Sequence, residues 1–185
     1  MKTSNQSQVE SYTAKSKSED QEANLVQCIG FYLGAELFGV DVLMVQEIIR
    51  KSPITSVPNA PAFIEGVINL RGNIVPVIDL RKRLNLDLEK VASEINQRIL
   101  VISVDGRITG FIVDSVSKVM KISTDDIEPP PEIVVAGLKS KYIHGVCKIA
   151  EQILILLDFN RILQIEEVKK LKEFEDRQDS NDAGR

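Results

Sequence analysis

Residues 66–84 read GVINLRGNIVPVIDLRKRL, with two runs of branched apolar residues on either side of Arg71-Gly72-Asn73. β-branched runs bounded by a glycine-containing turn are the pattern of a hairpin. Neither arm alternates strictly between apolar and polar residues, so both read as strands covered on two faces rather than one. Gly72 permits the tight turn, and Asp79 is placed to cap a short helix over LRKRLNL. The hairpin predicts a β-rich core, and it leaves one residue without an obvious folding role: Arg71, a lone charge at the tip.

Upstream, KSPITSVPNAPAF is broken by Pro53, Pro58 and Pro61 and forms a turn-rich connection. Before it, LVQCIGFYL, a turn at Gly34-Ala35-Glu36 and LFGVD predict a second hairpin. Asp41 is then expected to cap a helix over VLMVQEIIR, with Val42, Val45, Ile48 and Ile49 on one face and Glu47 on the exposed side. Downstream, RILVISV and ITGFIVDSV flank Asp105-Gly106, a strong hairpin signal. After EPPPEI and a loop containing Gly137, YIHGVCKI and QILILLDF are two further strands. A last helix is expected from about Asp158 to residue 176, patterned on Ile162, Ile165, Val168, Leu171 and Phe174. Residues 166–185 then form a charged extension with a frayed end.

The two halves of the chain repeat each other. Gly39, Val42, Val45 and Pro58 recur 71 residues later as Gly110, Val113, Val116 and Pro129. Ile64, Gly66, Val67, Ile74, Asp79 and Leu84 recur 79 residues later as Ile143, Gly145, Val146, Ile153, Asp158 and Leu163. The difference in offset falls in a loop, where extra residues are tolerated. Two similar modules follow, over about 25–90 and 97–165, each of about five strands. So few strands bury their faces and protect their edges best by closing into a small barrel. The repeat therefore predicts two barrels packed through an apolar seam, with a groove where their surfaces meet.

Composition narrows the function. At 185 residues, 43% hydrophobic and 27% charged, the chain is long enough for a substantial core. A net charge of -4 gives no reason to bind nucleic-acid backbones, and the few aromatics do not alternate with basic residues as a stacking platform requires. Residues 1–24 are polar and aperiodic, the expectation being a solvated tail; neither a signal peptide nor a membrane span is apparent, so a cytoplasmic protein is expected. Cys28 and Cys147 sit in apolar runs and read as buried structural residues, and His144, the single histidine, has no ligand-spaced partner. Asp79 and Asp158 read as helix caps rather than a catalytic carboxylate pair. No phosphate loop or nucleophile elbow is present, so no enzyme, cofactor or metal is expected. Glu47 and Arg71 remain as charges that folding does not require.

Five ordered segments, GVDVLMVQEII, VPNAPAFIEGVINLRGNIVPVIDLRKRL, GFIVDSVSKVMKI, IEPPP and YIHGVCKIAEQILILLDFNRIL, resemble the CheW family of bacterial chemotaxis coupling proteins over residues 25–165. The resemblance implies a mainly β fold of two packed five-stranded SH3-like barrels with short helices and a C-terminal helix. It also implies a non-enzymatic adaptor joining the cytoplasmic tips of methyl-accepting receptors to the regulatory domain of the histidine kinase CheA, in rings that include other CheW-like domains. The adaptor would be recruited to membrane-associated arrays without inserting into the bilayer. By resemblance Val45, Glu47, Arg71, Ile99 and Val119 line the receptor side, and Leu138, Tyr142 and Val146 are kinase-side candidates. Gly66, Gly72, Asp79, Gly145 and Asp158 are turn and cap residues. The same scaffold in a different chemosensory pathway, such as surface motility, is the alternative; a small β-barrel nucleic-acid binder is a distant one.

Overall fold

The computed structural model describes residues 24–86, 96–130 and 140–163. The expected N-terminal tail through residue 23, the Gly137 loop with Leu138, and the last helix beyond residue 163 lie outside the described residues. The described chain forms β1 (Leu25–Leu33), β2 (Glu36–Asp41), β3 (Val45–Arg50), β4 (Ile64–Leu70), β5 (Asn73–Asp79), β6 (Arg98–Val104), β7 (Arg107–Val113), β8 (Ser115–Ser123), β9 (Ile143–Ile149) and β10 (Gln152–Leu157). Two short helices follow β5 and β10: α1 (Leu80–Leu84) and α2 (Phe159–Leu163).

The strands make two five-stranded sheets, sheet I in the order β8-β1-β2-β10-β9 and sheet II in the order β3-β6-β7-β5-β4. The sequence repeat reappears in the registers. Ile29 faces Val119 in sheet I as Leu100 faces Ile48 in sheet II, and Leu154 faces Cys147 as Val75 faces Ile68. The expectation that residues 25–90 and 97–165 each build one module is corrected, because each sheet takes its central hairpin from one half and its other three strands from the other half. The exchange creates the parallel pairs β2–β10 and β5–β7, which a hairpin connection cannot make.

Each sheet's edges are joined by one antiparallel bridge. Thr55, beyond the end of β3, pairs with Val67 of β4; Glu128, beyond β8, pairs with Val146 of β9. A Cβ on Gly66 would lie 2.0 Å from the Thr55 carbonyl oxygen, and one on Gly145 would lie 3.0 Å from that of Glu128. The two glycines named as turn residues are therefore seam residues, where one backbone passes directly over another.

The burial pattern explains the unbroken apolar runs. Cys28, Leu37, Met120, Cys147, Leu154 and Leu156 fill the interior of sheet I. Ile68, Val75, Val77, Ile99, Val101 and Ile112 fill that of sheet II. The alternate residues, among them Ile29, Phe31, Phe38, Leu100, Ile102, Phe111 and Ile155, form one larger core shared by both sheets. Successive side chains thus enter different cores, and the strand has no polar face to show in the sequence.

Residues 42–50 are not the expected helix. Asp41 does cap, accepting a hydrogen bond from the Leu43 amide at 2.9 Å, but only over a 3-10 turn, Val42–Met44. The chain then extends as β3 and pairs with β6. Val42, Val45 and Ile49 keep a helical spacing, but in β3 a bulge between Val45 and Glu47 reverses the alternation, so Val45 packs against the shared core and Ile49 against the sheet II interior. Pairing with β6 decides between the two periods.

Asp79 and Asp158 are caps, as expected. The amides of Arg81 and Lys82 donate to Asp79 Oδ1 at 2.9 and 3.2 Å, and the Arg161 amide donates to Asp158 Oδ1 at 3.1 Å. Lys82 also pairs with Glu65, and this hydrogen bond, more than the attraction of the charge itself, raises the lysine pKa. Two arginines of α1 join the sheets. Arg81 Nε donates to the buried Asp114 carboxylate at 3.0 Å, where the chain passes from sheet II to sheet I, and the Gly34 amide donates to the same oxygen. Arg83 donates through Nη2 to the Ile162 carbonyl at 3.0 Å and lies over the rings of Phe63 and Tyr142, at 4.5 and 5.2 Å. No helix among the described residues is long and apolar enough to cross a membrane.

Candidate interaction site

Arg71 and Gly72 form the two-residue loop between Leu70 and Asn73, with φ of 54° and 91°. Positive φ at both central positions matches the twist of a hairpin, but a side chain there usually costs about 1–2 kcal/mol. The Asn69 side chain steadies the loop by accepting from the Gly72 amide at 2.8 Å. Arg71 Nη2 donates to Glu47 Oε2 of β3 at 2.9 Å, the arginine side chain being 79% exposed and the glutamate 25%. An ion pair this open to water contributes little to stability. Its effect is geometric: it holds a planar, multiply donating cation beside β3 while leaving most of its surface uncovered.

The other receptor-side candidates separate by exposure. Val45 is half-buried at the start of β3 and packs against the shared core. Val119 stands 54% exposed on β8. Ile99 is corrected as a lining residue: it is 0% exposed, because β6 lies between β3 and β7 and its side chain points into the sheet II interior. Tyr142 and Val146 are likewise corrected as contact residues. Tyr142, just before β9, is 0% exposed beneath Arg83, and Val146 is buried in the shared core. Leu138 lies outside the described residues.

The structure adds apolar surface that was not singled out: Leu43, Ile48, Ile74 and Ile153 are exposed. The repeat held the signal. Ile48 and Val119 are equivalent across sheets II and I, as are Ile74 and Ile153. Each sheet presents the same two apolar positions to solvent.

Residues 27–167 match the CheW-like domain family. The chain belongs to the CheW family. The CheW of Treponema pallidum, named a chemotaxis protein, is 35% identical over 147 residues, covering 78% of this chain and 86% of that protein. The CheW of Klebsiella aerogenes, likewise named, is 40% identical over 138 residues, covering 75% and 81%. Among solved structures, a CheW described as a scaffolding protein, from Thermoanaerobacter tengcongensis, superposes with a TM-score of 0.70 at 34% identity, covering 77% of this chain and 90% of that one. The CheW relationship spans both sheets, so the fold and the Arg71–Glu47 site fall within the matched region.

Proposed function

We propose that the protein is a non-enzymatic chemotaxis adaptor, acting in the cytoplasm at membrane-associated arrays and coupling methyl-accepting receptors to the regulatory domain of the histidine kinase CheA. The observation that carries this reading is the Arg71–Glu47 pair, an exposed guanidinium fixed beside β3 by an ion pair that folding does not need. Val45, Glu47, Arg71 and Val119 are the proposed receptor contacts, and a helical receptor tip suits apolar anchors beside a fixed polar group. Ile99 acts behind them, holding β6 against β3 from within. For the kinase, which carries a domain of the same family, the exposed Ile153 of sheet I and its counterpart Ile74 replace the buried Tyr142 and Val146 as contact candidates.

The test is a pull-down of the full chain with a soluble receptor-tip fragment and with the kinase regulatory domain, separately and together. Binding of both by the unaltered chain, with loss of the receptor fragment alone in Arg71→Glu, is the expected outcome. Full retention of the receptor fragment by a folded Arg71→Glu protein removes the turn from the receptor surface.

A further inference from the structure

The two sheets carry equivalent surfaces that have diverged at one pair of positions. The β9–β10 turn matches the β4–β5 turn in register, Gln152 facing Ile149 as Asn73 faces Leu70, although Glu151 stands in place of Gly72 and does not share its positive φ. Ala150 occupies the place of Arg71, and its φ of 52° repeats the 54° of the arginine. On the neighbouring edge strand, Lys118 of β8 occupies the place of Glu47 of β3, one residue before the equivalent pair Val119 and Ile48. The ion pair that spans the surface of sheet II has no equivalent in sheet I, since one partner is an alanine and the other has the opposite charge.

The surface there is open. A depression on sheet I is bounded by Lys118, Lys121, Lys148, Asp126 and Ala150, with Met120 and Cys147 at its floor and Val119 at its side. Lys118, Lys121 and Lys148 are exposed, and none has an ion-pair partner among the described residues. Three lysines against one aspartate make a cationic rim on a chain whose net charge is -4. A rim of this sign around an apolar floor favours a partner that sets carboxylates beside an apolar side chain.

We propose that this depression is a second docking face, for an acidic helical segment of the receptor tip, an assignment that rests on the receptor reading above. Val119 is the apolar anchor and Lys118, Lys121 and Lys148 receive the carboxylates. The sheet II face holds its cation fixed by Glu47, whereas the sheet I face offers mobile ammonium groups. Recognition at Arg71 is therefore set by geometry and recognition at the lysines by charge, so the lysine contribution weakens with salt.

The experiment measures affinity of the full chain for the soluble receptor-tip fragment at low and high salt. The variants are Lys118→Glu/Lys148→Glu, Lys118→Arg/Lys148→Arg and Arg71→Glu, with the kinase regulatory domain as a parallel ligand. The expected result is a loss of tenfold or more at low salt in the glutamate variant, a flattened salt dependence, retention in the arginine variant and unchanged kinase binding. Lys118→Gln/Lys148→Gln, with the same loss in smaller degree, replaces the glutamate variant if that one fails to fold. Receptor affinity unchanged in the lysine variants but lost in Arg71→Glu overturns this docking face and leaves the receptor reading standing. Affinity unchanged in all variants overturns both, and loss of the kinase domain in place of the receptor fragment overturns the assignment of the occupant.

Discussion

Gly66→Ala and Gly145→Ala are the same substitution at equivalent seams, and the structure predicts unequal costs. At Gly66 the backbone has φ of 145°, and the added Cβ would sit 2.0 Å from the Thr55 oxygen. That contact is with backbone, so the seam must open. Opening it loses two hydrogen bonds, Thr55 N to Val67 O at 2.9 Å and Val67 N to Thr55 O at 2.8 Å. Each contributes about 0.5–1.5 kcal/mol, and the strained φ adds about 1–3 kcal/mol. The total is about 2–6 kcal/mol. At Gly145 the φ is ordinary, the nearest atom is the side-chain Cγ2 of Ile127 at 2.5 Å, and the Glu128 oxygen lies at 3.0 Å, so the closest contact is with a β-branched side chain and not with the backbone. Its cost is about 1–3 kcal/mol, the range for overpacking, without the backbone strain that Gly66→Ala adds. Urea unfolding with an unchanged slope reads both, and at about 2 kcal/mol per molar for a chain of this size Gly66→Ala lowers the midpoint by about 1–3 M. Equal midpoints for the two variants would refute the close-approach argument, because nothing else distinguishes the two seams so sharply.

Four further outcomes follow from single contacts. Asp114→Ala leaves Arg81 buried without its carboxylate and also removes the acceptor of the Gly34 amide; the expected loss is about 3–5 kcal/mol, read by denaturation, and replacing both partners by apolar residues recovers much of it. Arg83→Lys loses the planar contact with Phe63 and Tyr142, and one ammonium replaces a guanidinium donating through both Nε and Nη2 to Ile162. It destabilises by about 1–3 kcal/mol in the same assay, and a neutral result would show that charge alone suffices there. Burial raises the Cys28 thiol from 9.0 to about 11 and also raises Cys147. The folded chain keeps the Cys28 proton where the unfolded chain has lost it, so this contribution to stability is present below about pH 9 and declines as pH rises towards 11. Rapid alkylation of native Cys28 at pH 8 would contradict it. Arg71→Glu, finally, is expected to change the free energy of unfolding by less than about 1 kcal/mol, since its ion pair is exposed; a large loss would make the residue a structural one.

How much could be read from the chain follows from which interactions leave a local trace. The hairpins at Arg71-Gly72 and Asp105-Gly106, the caps at Asp79 and Asp158, and the repeat were visible because turn chemistry and capping act within a few residues. Residues 42–50 were misread because Val42, Val45 and Ile49 fit a helical period, whereas the strand that forms is set by the distant β6 and carries a bulge after Val45 that no local signal marks. The exchange of strands between halves left no sign either, as a repeat records equivalent environments and not which copy supplies the neighbour. Burial misled at Ile99, Tyr142 and Val146 for a related reason. In a chain with three cores an apolar residue is as easily inward as outward, and the sequence does not number the cores. Arg71 was legible because a cation at the tip of an apolar hairpin has no core to enter.

The same contrast bears on how one scaffold acquires different surfaces. The interiors of the two sheets are equivalent in position but not in content: Cys28, Met120 and Cys147 of sheet I stand where sheet II has Ile99, Ile49 and Ile68. Met120 and Ile49 are of similar volume, whereas Cys28 and Cys147 are smaller than Ile99 and Ile68, so the two interiors are filled by different sets of side chains. The turns keep their left-handed residue in both copies, φ 54° at Arg71 and 52° at Ala150, because strand twist demands it whatever the side chain. Backbone geometry is thus set by the fold at both tips, and the side chain placed there is left to the surface. With alanine at the left-handed position no cation is fixed, the tip carries only the exposed Glu151, and the neighbouring lysines border an open depression; with arginine the tip reaches Glu47 and a cation is fixed. Exchanging the two, by Arg71→Ala with Ala150→Arg and Lys118→Glu, should therefore move the fixed cation to sheet I at little cost in stability. An unfolding free energy within about 1 kcal/mol of the parent is the expected result, and a collapse would mean that the two tips are bound to their own sheets by more than the twist of their strands.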